Sequence, residues 1–270
     1  MYGLLRNRLV TQSTIELPYV PDVLDGMTIM QLTDLHVRQP RRWHERFLRE
    51  IAGHDIDVLL LTGDIGHRSC DEPAVVELLQ RILRTVNCRI GAFGTFGNHD
   101  TDELRLRAGY TPAHWLRNQA WADEQWPLVV YGVDCNQQKG GGDLIAALLD
   151  EPEVSFAVQP LRIMLAHLPP WMLAAADAGV DLVFSGHTHG GQIRIPSNRI
   201  VFNATTGWPL DFTSGIMRKG HTYGVISRGL GETRIEGFRY FCPHQIPVIT
   251  IHQARVPDSP TSRLECVTKW

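Results

Sequence analysis

Two histidines one residue apart, His187 and His189, lie in Gly186-His187-Thr188-His189-Gly190-Gly191-Gln192, directly behind the apolar run Leu182-Val183-Phe184-Ser185. Paired imidazoles between glycines are poorly suited to core packing. The tip of a buried strand can instead aim both rings at one point, and glycine lets the backbone come close to whatever is bound there. The segment reads as part of a metal site. Four other segments end strand-like runs in the same way: Thr33-Asp34-Leu35-His36, Gly63-Asp64-Ile65, Gly97-Asn98-His99-Asp100 and Ala166-His167-Leu168. In an open α/β sheet, ligands gather outside the carboxyl ends of the strands, so these segments are expected to meet in one crevice.

Asp34, His36, Asp64, Asn98, His167, His187 and His189 offer hard oxygen and borderline nitrogen donors without a thiolate. That mixture suits Mn(II), Fe or Zn and does not suit copper(I) or an iron–sulfur cluster. So many donors are too many for one ion and natural for two. One carboxylate must then bridge, and Asp64, alone on a glycine turn, is the best placed. Two divalent ions about 3.5–4 Å apart can bind a phosphate, acidify a bridging water and hold it for in-line attack. His99 has a separate task in this scheme, as general acid toward the leaving group or as a partner for phosphoryl oxygens. Asp100 beside it is expected to hydrogen-bond its ring and fix the tautomer. Taken singly, an Asp-x-His, a Gly-Asp or a lone histidine means little. Together, each behind an apolar run, they carry the metal reading.

The elements that must position these residues are short Val/Ile/Leu-rich runs: Met27–Gln31, Val58–Thr62, Ile90–Thr95, Leu128–Val133, Leu161–Ala166, Leu182–Ser185, Thr222–Ser227 and Val248–His252. Helical patterns fall over Arg42–Ala52 and Pro73–Val86, the second entered through Asp-Glu-Pro, which suits a first helical turn. Strand–helix alternation in the first half predicts an α/β layered fold. Strands without clear helices in the last third predict a second, more antiparallel sheet. Lys139-Gly140-Gly141-Gly142-Asp143 reads as a loop or helix entry, since it lacks the ending of a phosphate-cradling loop. The tail beyond Arg255 is expected to be loosely held.

The 270 residues suit a single domain, with a core from about 27 to 252 and extensions at both ends. A net charge of -3 gives no global reason to expect nucleic acid as partner. Cys70, Cys88, Cys135, Cys242 and Cys266 are scattered and odd in number, which reads as reduced structural thiols in a cytosol-like compartment. Met1 to Thr11 carries Arg6 and Arg8 without the apolar stretch of an export signal, and no run approaches the length of a membrane span. A cytoplasmic location is expected, with peripheral contact to a membrane surface compatible with it.

At the site residues the chain resembles the calcineurin-like metallophosphoesterases. Their pattern of Asp-x-His, Gly-Asp, Gly-Asn-His-Asp/Glu, a lone histidine and Gly-His-x-His is met at every position, across roughly Met27 to His252. The ending Gly-His-Thr-His-Gly-Gly-Gln, with Ser227-Arg228-Gly229-Leu230-Gly231 downstream, resembles one branch of bacterial phosphodiesterases. That branch includes membrane-associated enzymes that cleave the pyrophosphate of UDP-2,3-diacylglucosamine. The resemblance implies a four-layer α/β/β/α sandwich with the metals at its top. It implies one ion on Asp34, His36, Asp64 and His189, a second on Asp64, Asn98, His167 and His187, and His99 as the acid. Mn(II) is the favoured metal and a small-molecule or lipid-linked phosphoester the expected substrate. Where many relatives carry a glycine soon after the first motif, this chain has Val37-Arg38-Gln39-Pro40, so what the resemblance implies for the pocket beside the metals does not carry over to this chain.

Three functions follow: a metal-dependent phosphodiesterase or pyrophosphatase using a metal-activated water, a phosphomonoesterase or protein phosphatase, and a non-catalytic scaffold. The intact set of donors and His99 argues against the scaffold. Arg38, Arg41, Arg42 and Arg46, with Trp43 and Phe47 among them, fit either a phosphate-drawing rim or a solvated helix face, the second being the plainer account. Trp208, Pro209, Leu210 and Phe212 fit ordinary packing better than a cover for the cleft. His67 and His221 are further candidates for neighbours of the site.

Overall fold

The computed structural model describes residues 9–135, 145, 148, 154–195, 200, 208–232, 238–256 and 259–270. Two β-sheets stack face to face, and helices cover the outer face of each. The reason is visible in Ile56-Asp57-Val58-Leu59-Leu60-Leu61-Thr62. Successive side chains in a strand point to opposite faces, so an unbroken apolar run must be buried on both. Val58 and Leu60 point between the sheets, and Leu59 and Leu61 point to the helices.

The first sheet has the order β1 (Val10–Leu17), β12 (Ile246–Gln253), β2 (Thr28–Leu32), β3 (Ile56–Thr62), β4 (Cys88–Thr95), β5 (His114–Trp115). All neighbouring pairs are parallel except β12 with β2. Its outer face is covered by α1 (Arg42–Ile51) and α2 (Glu72–Thr85), which bury Phe47, Leu48, Ile51, Val75, Leu78, Leu79 and Ile82 against Met30, Leu32, Leu59 and Leu61. α2 starts as its sequence suggests: Asp71 caps it by accepting the N–H of Ala74 at 3.3 Å, with Pro73 in the first turn. α1 starts differently, with the buried His44 ring folded back so that Nδ1 accepts the N–H of Arg41 at 2.6 Å.

The second sheet has the order β13 (Thr261–Thr268), β10 (Gly215–Gly220), β11 (Thr222–Ile226), β9 (Leu182–Ser185), β8 (Leu161–Ala166), β7 (Trp126–Val133), β6 (Gln119–Asp123). The centre, β11 to β7, is parallel, and the flanking pairs are antiparallel. Val130, Ile163, Leu165 and Phe184 face the first sheet, while Val129, Tyr131, Met164 and Val183 face α4 (Trp171–Asp177) through Trp171, Met172 and Ala175. The layers are therefore α/β/β/α.

Three expectations need correction. The tail beyond Arg255 is not loose along its length, because Thr261–Thr268 adds an edge strand to β10. The late strands do not all enter the second sheet, since β12 crosses to the first and lies between β1 and β2. The second sheet is not mainly antiparallel but mixed, with a parallel centre from β11 to β7 and antiparallel pairs flanking it. Lys139 to Asp143 lie outside the described residues.

Candidate metal centre

Each chemistry-bearing segment leaves the carboxyl end of a strand: Asp34 and His36 after β2, Asp64 after β3, Asn98 and His99 after β4, His167 after β8, His187 and His189 after β9. The loops after β2 and β3 are zipped together, with the N–H groups of Asp34, His36 and Val37 donating to the carbonyls of Gly63, Asp64 and Ile65, each at 3.0 Å. This forces left-handed backbone on Asp34, His36 and Asp64, and His187 and His189 share it, with φ between 45° and 68°. Such conformations are uncommon for residues other than glycine and persist only where the surroundings over-determine them.

The two sheets are joined at Asp34, whose carboxylate accepts the N–H of His187 at 3.1 and 3.0 Å. Gly186 makes this approach possible, because a Cβ there would fall on Asp34 Oδ2 and Thr33 Oγ1. Gly97 has the same role at the other carboxylate, where a Cβ would fall on Asp64 Oδ1. That oxygen accepts the N–H of His99 at 2.8 Å. The other oxygen of Asp64, Oδ2, lies 3.4 Å from His36 Nε2 and 3.3 Å from His167 Nε2.

Among the described residues three groups of donor atoms result: Asp34, His36 and His189; Asp64, His167 and His187; and His36, Asp64 and His99, the atoms of each group lying within 4.8 Å of one another. Asp64 belongs to two of them. His189 Nε2 is 3.4 Å from Asp34 Oδ1 and 3.1 Å from His36 Nε2, and His187 Nδ1 is 3.3 Å from His167 Nε2. Backbone carbonyls choose the tautomers. His167 Nδ1 donates to Thr62 O at 2.9 Å and His189 Nδ1 to Gly231 O at 3.2 Å, which turns both Nε2 atoms inward. Asn98 sits in the same turn as His99, and its Oδ1 is buried without a hydrogen-bond partner.

Burial lowers His36 to about 3 and His187 to about 4, lowers His189 far below the usual range, and lowers His99 as well. The His36, His187 and His189 rings are neutral at pH 7 and present lone pairs. His167 differs: burial opposes its charge, but the Asp64 and Asp34 carboxylates outweigh it and push it up to about 10. Asp64 is held well below the usual carboxylate range, as His167 and His36 overcome the penalty of burial. Neutral imidazole nitrogens facing one another at 3.1 Å, buried carboxylates and an orphaned buried amide oxygen fit divalent cations. Leaving such an acceptor unsatisfied costs about 1–3 kcal/mol.

His99 stands edge-on to His36, ring centroids 4.8 Å apart, with its Nδ1 buried and without a partner. The expected Asp100 contact to that ring is absent. The Asp100 carboxylate instead accepts the backbone N–H groups of Asp64 (2.9 Å), Gly97 (2.8 Å) and Gly66 (3.0 Å), tying the loops after β3 and β4 together. Buried backbone donors in two tight loops need an acceptor, and they claim both oxygens.

Two arginines take part that sequence reasoning missed. Arg105, on α3 (Asp102–Ala108), grips both ends of the Asn98–His99 turn through Gly97 O (3.0 Å) and Asp100 O (3.1 Å) and pairs with the buried Asp134 at 3.2 Å. Arg239 backs His189, its guanidinium donating to Arg228 O at 2.8 Å and to Gly231 O. A lone charge between aromatic residues in Gly-Phe-Arg-Tyr-Phe was the available signal for the second. Among the other candidates, Trp208 is buried, donates to Phe212 O and belongs to the core under the second sheet. His221 is exposed at the turn joining β10 to β11, away from the carboxyl ends that carry the site. Among the described residues no helix is long and apolar enough to cross a membrane.

The chain is also similar to known proteins. Residues 27–191 match the calcineurin-like phosphoesterase family. An uncharacterised metallophosphoesterase of Bacillus subtilis, YkuE, is 27% identical over 89% of this chain and 84% of its own. A UDP-2,3-diacylglucosamine pyrophosphatase of Chlamydia muridarum, LpxG, is 26% identical over 84% of each. A phosphodiesterase of Escherichia coli, YaeI, is 31% identical over 72% of this chain and 70% of its own.

Proposed function

This chain belongs to the calcineurin-like phosphoesterase family, and from that premise we propose that it hydrolyses a phosphodiester or pyrophosphate bond at a centre of two divalent metal ions. The observation that carries the reading is the position of Asp64 Oδ2, between His36 on one side and His167 on the other. Asp34, His36, Asp64 and His189 would hold one ion, and Asp64, Asn98, His167 and His187 the other. Bound there, the ions would supply Lewis-acid charge for the phosphoryl oxygens and acidify a water molecule.

The chain's own residues do the rest. The backbone N–H of His187 is fastened to Asp34 and that of His99 to Asp64, which ties the loops that carry both histidines to the site carboxylates. His99 is half-buried at the mouth, where its ring passes a proton to the departing oxygen. Asp100 and Arg105 hold the turn that carries it. Two relatives named as a diacylglucosamine pyrophosphatase and a phosphodiesterase support a small or lipid-linked diester substrate. The cytoplasm, with peripheral contact to a membrane surface, suits such a substrate.

The test is elemental analysis of the purified protein alongside hydrolysis of bis(p-nitrophenyl) phosphate, with Mn(II) restored after chelation. About two metals per chain and recovered diesterase activity are expected. Bound metal with no turnover of diester or monoester would overturn the hydrolase reading in favour of a scaffold.

A further inference from the structure

The arginines that follow the first site motif separate in the structure. Arg41, Arg42 and Arg46 are exposed, and Arg46 lies 3.7 Å from Glu50 on the solvated face of α1. Arg38 is half-buried on the site loop, with Nη2 3.2 Å from His67 Nε2. A guanidinium only donates. His67 Nε2 therefore faces Arg38 as an acceptor, and its Nδ1 lies 3.1 Å from Ser69 Oγ and 3.2 Å from the Ser69 backbone nitrogen. The backbone fixes the pair, with His67 N–H donating to Val37 O at 3.0 Å and Asp71 N–H to Arg38 O at 2.9 Å.

The His67 ring lies 5.6 Å from that of His99 and 6.3 Å from that of His36, so it is the next layer outward from the candidate metal centre. Arg68 follows it, its guanidinium 3.5 Å from Asn98 O. Two permanent cations with a histidine between them thus stand on the His99 side, where the leaving group departs. Arginine forks match phosphate oxygens. The two phosphorus atoms of a pyrophosphate are separated by only one oxygen, so a group reacting beside His99 brings its neighbour within reach of this cluster.

We propose that Arg38, His67 and Arg68 form a second anion subsite, which binds the non-reacting phosphate of a pyrophosphate diester while the adjacent phosphorus reacts beside His99. The inference rests on the hydrolytic reading of the site and deepens it by naming the substrate class. In the reaction, water gives its OH to one phosphorus and its remaining proton to solvent, while protonated His99 gives its proton to the bridging oxygen and is reprotonated from solvent. The electron pair of the broken P–O bond stays on that oxygen. Two phosphate monoesters result, the departing one held by Arg38 and Arg68.

The test compares two compounds that differ by one phosphoryl unit, bis(p-nitrophenyl) phosphate and P1,P2-bis(p-nitrophenyl) pyrophosphate. Cleavage of each is followed by phosphorus NMR, and binding of each to the chelated protein by calorimetry. Arg38→Ala and Arg68→Ala are each expected to weaken binding and raise KM for the pyrophosphate about tenfold, with a smaller change for the single phosphate. Equal losses on both compounds, or a wild type that binds both equally, would overturn the subsite. Preferential, Arg38-dependent binding of the pyrophosphate without cleavage by the metal-loaded protein would keep the subsite and reject the hydrolase reading.

Discussion

Two adjoining regions of this molecule have opposite backbone habits. Between the sheets, Val58, Leu60, Ile163, Leu165, Leu182 and Phe184 lie on regular strands and are fully buried. Just above them, Asp34, His36, Asp64, His187 and His189 adopt left-handed backbone, which costs roughly 1–2 kcal/mol for each such residue. Among the described residues, no non-glycine residue with positive φ lies inside a strand. The regular interior supplies stability, and the strand ends convert part of it into fixed positions for polar side chains that would otherwise repel or seek water.

The comparison can be broken from either side. Asp64→Ala has the largest expected effect: bound metal falls from about two ions per chain to near none and turnover goes with it, because the shared carboxylate is lost. Full retention of one ion in elemental analysis would show that the two groups are independent. Next comes His99→Ala, with kcat lower by about 10²–10⁴-fold and metal content unchanged. Release of metal would instead make His99 a ligand, as its grouping with His36 and Asp64 allows.

In the interior, Leu165→Ala leaves a cavity between the sheets and costs about 2–5 kcal/mol in denaturant unfolding, while the folded fraction keeps its metal stoichiometry. The smallest effect has the opposite sign. His187→Gly relieves a left-handed residue at φ 68° and pays back only part of that in unfolded-chain entropy. The metal-free protein should gain up to about 1 kcal/mol while losing metal affinity. A destabilised metal-free variant would mean that the loop holds His187 without strain.

What was legible in the sequence follows the same division. β8 and β9 have the limits their apolar runs suggest, and the segments behind the runs do converge. Runs buried on both faces advertise themselves. β1 and β13 do not, because edge strands alternate with polar residues, as in Val10-Thr-Gln-Ser-Thr-Ile-Glu-Leu, and carry little hydrophobic signal. The donor types pointed to the site because few other arrangements would gather such residues behind strands. The job of Asp100 was not legible, since an acid beside a histidine looks the same whether it faces the ring or the neighbouring loop's N–H groups. Arg105 is similarly hidden, one charge among several on a short helix, distinguished only when Asp134 and the Gly97 carbonyl arrive from elsewhere in the chain.

The placement of β12 bears on how the chain reaches this state. β2 carries Asp34 and His36 at its end, yet one flank of β2 stays an open edge until Thr250 arrives to pair with Thr28. β1 likewise waits for β12, its first residue Val10 pairing with Ile246. On the ribosome, the strand that opens the site must remain unpaired on that side while nearly everything else is made. Such exposed edges fold slowly and invite association with other chains. Truncation before Ile246 would therefore leave every predicted metal ligand in the polypeptide and still yield aggregate.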